Sequence, residues 1–250
     1  MKRYLFAASI LFACANSWAL GDLAEVSVYD RNRGRNLPVY EHEGRHYVVG
    51  KPGNRYEIVL GNRSDQDLLA VTSVDGVNVV SGETASWQQS GYVLDAYPQT
   101  DIKGWRRSIS DVAQFYFTAL SDSYAAHTGR PDNVGVIGVA LFRSLVKPPP
   151  VAYSDDRELS ERDARAADQS AAGAAREARA EKKLGTGHRQ KETSRTRYVD
   201  FKRASESPDE VIAIYYDSYH NLLARGVIPA QRVAQVETPF PGQFVPDPQN

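Results

Sequence analysis

A chain of 250 residues with 42% hydrophobic side chains is long enough for one large domain, or for a domain of ordinary size with appendages. Its 30 Lys and Arg against 31 Asp and Glu leave a formal charge of -1, which gives no electrostatic case for nucleic acid, and no nucleic-acid motif is present. A single cysteine excludes an intrachain disulfide, so any folded domain has to rest on an apolar core.

Residues 1–19 have the pattern of an export signal: Lys2 and Arg3, an apolar run from Tyr4 to Ala15, then Asn16-Ser17-Trp18-Ala19. Small residues at Ser17 and Ala19 suit cleavage after Ala19, and the run is too short to span a bilayer comfortably. Removing Lys2 and Arg3 leaves 28 basic residues (30 less 2) against 31 acidic ones, a mature charge of -3. The expected location is periplasmic or extracellular. Cys14 lies inside the signal, and Leu11-Phe12-Ala13-Cys14 has the outline of a lipoprotein cleavage site, with Phe12 a poor fit; an outer-membrane lipoprotein acylated on Cys14 is the alternative, and the one case in which a membrane is involved.

Residues 22–146 predict an antiparallel β-sandwich. Runs such as EVSVYD, LPVYEH, RHYVVG, RYEIVLG, SGYVLD, AQFYFTA and VGVIGVALF recur at spacings close to the roughly 8 to 12 residues of all-β domains, without helical periods between them. The anchor is LLAVTSVDGVNVV, Leu68 to Val80, in which Asp75-Gly76 predicts a type I′ hairpin turn. That register sets Val74 opposite Val77, Ser73 opposite Asn78, Thr72 opposite Val79, Val71 opposite Val80 and Ala70 opposite Ser81. His42-Glu43-Gly44-Arg45-His46 has the letters of a zinc-protease helix, but Pro38, Gly44 and the β-prone flanks predict a hairpin at Glu43-Gly44 pairing His42 with Arg45 and Tyr40 with Tyr47, with no metal role. Phe115 and Phe117 share one face of their strand and are core candidates.

Lys147-Pro148-Pro149-Pro150 closes this domain, and Asp155 to Lys183, rich in Ala and mixed charge, predicts an exposed helical spacer within 147–189. Residues 190–237 predict a small strand-helix unit: a strand at Arg197–Phe201, then a helix over Pro208–Arg225 with Ser207 as N-cap, Glu210 completing a capping box and Gly226 as the stop. Val211, Tyr215 and Leu222, with Ile212, Tyr216, Tyr219 and Leu223, would form its apolar face. The tail 238–250, with four prolines, is expected to be disordered.

The segments SVDGVNVVSG, GWRRS, LGTGH, RYVDFKRAS and SPDEVIAIYYDSY together resemble a group of uncharacterised exported proteobacterial proteins. The resemblance covers most of the mature chain and implies an exported bacterial protein without implying a mechanism. Relatives tend to carry a further glycine after the histidine, where this chain has Arg189.

Binding candidates are Trp87, Tyr92, Trp105 and Arg106, aromatics in or beside loops with a cation that could stack on sugar rings or anchor a protein, and His188, in a Gly185-Thr186-Gly187-His188 loop that could offer backbone N–H groups to an anion. The plainer readings are that the tryptophans fill the core, Arg106 crosses its rim, and the glycines belong to a linker. Asp75 is accounted for by turn chemistry. No catalytic residue, cofactor or metal ligand set is assigned. The favoured function is a non-enzymatic envelope module acting through protein contact, its partner an envelope protein or glycan. A carbohydrate-binding module is the alternative, and an enzyme centred on His188 the third reading.

Overall fold

The computed structural model describes residues 19–145 and 183–229. The expected export signal up to residue 18, the expected proline and helical spacer up to 182, and the tail from 230 lie outside the described residues. The described chain is mainly β, in two seven-stranded sheets.

The first sheet orders β10 (Gly104–Arg106), β11 (Asp111–Ala119), β5 (Arg55–Asn62), β1 (Ala24–Asp30) and β2 (Arg35–Asn36), with β13 (Leu184–Thr193) added to β11 and β9 (Gln99–Ile102) added to β5. The second orders β3 (Val39–His42), β4 (Arg45–Val49), β14 (Glu210–Asp217), β12 (Val136–Arg143), β6 (Leu68–Val74) and β7 (Val77–Asn78), with β8 (Tyr92–Leu94) added to β6. Pairing is antiparallel except where β14 runs parallel to β4. Inward residues of both sheets, among them Val26, Tyr56, Ile58, Phe115, Phe117, Ile137, Leu141 and Ile214, form one buried cluster.

Both expected turns form. Glu43 and Gly44 have φ of 51° and 69°, Asp75 and Gly76 φ of 55° and 72°, the positive pair that a type I′ turn requires. His42 pairs with Arg45 and Tyr40 with Tyr47, so His42 and His46 lie on opposite faces of the hairpin rather than on one side of a helix. In the second hairpin Val74 pairs with Val77 and Ser73 with Asn78, and the Val79 N–H still donates to the Thr72 carbonyl at 3.0 Å, but the pairing goes no further. The Asn78 side-chain oxygen accepts from the N–H groups of Val80 and Ser81, turning the chain away, and β8 takes the vacated edge with Tyr92 opposite Ala70. The pairs expected for Val71–Val80 and Ala70–Ser81 do not form.

Three expectations for the C-terminal half are corrected. Gly185 to His188 are not a linker loop but part of β13, paired with β11 from Leu184 onward. No strand forms over Arg197–Phe201; the segment is held at its near end by the Thr196 N–H donating to the Ile109 carbonyl, and at its far end by Phe201 packing on the second sheet and a bridge between Ser144 and Arg203. The helix expected over Pro208–Arg225 is instead β14 followed by the short helix α2 (Tyr219–Ala224). Ser218, not Ser207, caps that helix, accepting from the Asn221 N–H. The Glu210 carboxylate accepts from the N–H groups of Asp22 and Leu23. Being central between β4 and β12, β14 is part of the second sheet and not a separate unit.

Candidate functional site

Asp75 sits at the tip of the β6–β7 hairpin with its side chain fully buried. Its Oδ1 accepts from the Tyr216 hydroxyl at 2.5 Å and the Gly135 N–H at 2.9 Å, and its Oδ2 from the Thr186 N–H at 2.8 Å. The Thr186 hydroxyl lies 2.6 Å from the Tyr216 hydroxyl and 2.6 Å from that of Tyr56. With Tyr216 giving its proton to the carboxylate, each remaining hydroxyl must donate toward Asp75 in turn: Tyr56 to Thr186, Thr186 to Tyr216. One chain of hydrogen bonds thus joins β5 and β13 of the first sheet to β14 and the hairpin of the second. Burial pushes the Asp75 carboxyl up to about 6, against the donors that favour its charged form, and burial beside Asp75 raises both tyrosines well above their ordinary value. No member reaches solvent, so the network holds the two sheets together and is not open to a substrate.

β13 carries this network into an open site. A side chain at Gly185 would meet Ser123 Cβ at 2.6 Å and Val134 Cγ1 at 2.8 Å, so glycine lets the α1 segment seat against the strand. A side chain at Gly187 would meet the Tyr116 ring at 2.2 Å. Helix α1 (Tyr124–His127), capped by the Ser123 hydroxyl, therefore stands beside β13 and β11. Between them opens a cleft of about 340 Å³ lined by Tyr116, Asp122, Tyr124, His127, Thr128 and His188.

The His188 ring lies along Tyr124 (centroids 5.4 Å, 20° between planes) and close to Trp105 (6.2 Å, 26°). Partial burial first, and Arg107 second, hold its pKa below the ordinary imidazole value, so the ring is neutral at pH 7. The Arg189 guanidinium lies 4.6 Å over the Tyr116 ring. No family model, curated protein or solved structure matches this chain.

Of the five residues singled out from sequence, the structure joins two pairs and leaves one apart. Trp105 is 3% exposed, packed edge-on to Phe115 and beneath His188. Arg106, the next residue in β10, points the other way and donates to the Tyr92 hydroxyl at 2.7 Å and to the Ser194 carbonyl, tying β10 to β8 at the margin of the two sheets. Trp87 is 51% exposed and not part of either pair; its carbonyl accepts from Arg203. The tryptophans therefore do not form a common sugar platform. The backbone N–H groups of the glycine segment serve the β11 ladder and Asp75, which leaves no anion nest there. Sequence reasoning missed Tyr116, Asp122, Tyr124, His127 and Thr128; the one local signal was Ser123 as N-cap after a strand.

Proposed function

We propose that the protein is an exported, non-enzymatic binding module of the bacterial envelope, and that the His188 cleft is its contact site. One observation carries the reading. Among the described residues the rings packed along the His188 imidazole are those of Tyr124 and Trp105, and no carboxylate, hydroxyl or second imidazole hydrogen-bonds to it, although Asp122 and His127 line the same cleft. A proton-transferring histidine needs an orienting partner and a nucleophile or water within reach, whereas a neutral imidazole set in an aromatic wall is a recognition group. Export is supported by the pattern of residues 1–19, and the envelope by the resemblance of the GTGH and PDEVIAIYYDSY segments.

The test is co-sedimentation of the purified protein with isolated cell-envelope material. Binding should be saturable, should fall in His188→Ala, and should release the protein and its ligand unchanged. Turnover of an envelope component that depends on His188 would replace the binding reading with the enzyme reading. A second reading, contact with a partner protein through the outer face of the second sheet, is favoured by the exposure of Val211 (56%) on β14 and Tyr219 (50%) on α2. It predicts that Val211→Lys, and not His188→Ala, abolishes co-sedimentation.

A further inference from the structure

We infer that the His188 cleft takes a sugar ring that carries a carboxylate; the inference rests on the reading of this cleft as a binding site. Size is the first constraint. About 340 Å³, open on one side, is at the small end of ligand pockets and suits one or two rings with the remainder of a ligand projecting into solvent.

The lining is the second. Tyr116 and Tyr124 supply aromatic surface of the kind on which the apolar C–H face of a sugar packs. Around them stand the neutral His188 imidazole, with one donor and one acceptor nitrogen, the His127 imidazole, the Thr128 hydroxyl and the Asp122 carboxylate. Such a mixture matches ring hydroxyls, each of which donates one hydrogen bond and accepts others. The Thr128 hydroxyl already donates to the Tyr124 carbonyl and accepts from Arg130, but a purely apolar ligand would leave the imidazoles and the carboxylate unpaired, and that costs more than the contact gains.

Charge is the third. Asp122 is the one carboxylate in the lining, while Arg189 lies over Tyr116 and Arg107 is near enough to oppose protonation of His188. Arg130 donates to the lining Thr128 as well, so with His188 neutral the cations around the cleft outnumber its one carboxylate. Guanidinium pairs with carboxylate in a planar, charge-assisted fork, so the excess selects an acidic sugar over a neutral one.

Glucuronate and glucose isolate this step, because they share a ring and differ at one substituent. The full-length protein is titrated with each while the imidazole signals of His188 and His127 are followed by NMR, with inorganic phosphate as the competitor. Glucuronate should shift the His188 signals saturably, with glucose binding about tenfold more weakly, the equivalent of one charge-assisted contact. Arg189→Ala should lower glucuronate affinity to that of glucose without changing the melting temperature. The inference is overturned if glucuronate leaves His188 unmoved, if glucose binds equally well, or if phosphate displaces glucuronate at matched concentration, which would make the site one for simple anions. Co-sedimentation that depends on His188 alongside a silent glucuronate titration removes the sugar and keeps the cleft; loss of both removes both.

Discussion

Asp75 shows how much one side chain can carry. A carboxylate in a type I′ turn needs no further explanation from sequence, and its letters reveal only the turn. The structure adds three donors from segments 60 to 141 positions away, which no local pattern encodes. Asp75→Asn should destabilise the fold by about 1–3 kcal/mol, because an amide places a donor where a carboxylate oxygen accepts, leaving a buried N–H or hydroxyl unpaired. The pH dependence has a definite sign. The folded carboxyl, raised to about 6, holds its proton more tightly than the ordinary value of 3.8. Its contribution to stability is thus complete below that lower value and is lost as pH rises through about 6. Urea unfolding of both proteins across that window should show the wild-type advantage shrinking as pH rises; a constant difference would mean that Asp75 does not titrate there. Trp105 makes a contrasting case. Its buried indole N–H has no hydrogen-bond partner among the described residues, so Trp105→Phe should cost packing alone and leave His188 in place.

At the scale of elements, β14 is where the helical and strand periods compete. Val211 and Tyr215 are four apart, a spacing that serves an α-helix and, being even, equally serves one face of a strand. Ser207-Pro208-x-Glu210 then supplies the appearance of a capped helix. The β-branched and aromatic content of Val211 to Tyr216 points the other way, and position decides: the segment lies between β4 and β12, where Ile212, Ile214 and Tyr216 turn inward and are buried. Ile214→Ala should therefore cost about 2–5 kcal/mol, while Val211→Thr at an exposed site should stay within about 0.5 kcal/mol. Equal costs in chemical denaturation would contradict the alternation. The hairpins at Glu43-Gly44 and Asp75-Gly76 were legible because turn chemistry is local. β9 and β10 were not, since Gln99 to Arg106 carries three charges and a glycine and becomes strand only by pairing with β5 and β11.

For the whole molecule, the two sheets differ on their outer faces. The first carries a connected set of charges, Arg31 with Glu192 at 2.5 Å and Glu57 at 3.7 Å, and Lys103 with Glu192 at 3.9 Å, which suits a solvated surface. The second is apolar and is covered by its own chain in two places, Tyr47 by Leu222, Val227 and Ile228, and Leu69, Val71 and Phe142 by Phe201, while Val211 stays exposed. Two-sheet architecture was legible from strand spacing in 22–146, but the strands that complete both sheets lie beyond the proline run and were read as appendages. That difference is testable. A chain ending at Leu145 lacks β13 and β14, which strips the outer partner from β11 and leaves the β3–β4 hairpin with no ladder to β12, since β14 is the strand that joins them. It also removes Ile212, Ile214, Tyr216 and Thr186 from the core, and so leaves Asp75 buried with two of its three donors gone. Such a fragment should show no cooperative thermal transition, and co-expression of residues 183–250 as a separate chain should restore one, because the missing strands bind by pairing and packing rather than by the covalent link. A fragment that ends at Leu145 and still melts cooperatively would mean that the first strands form a self-sufficient domain, with β13 and β14 as additions to it.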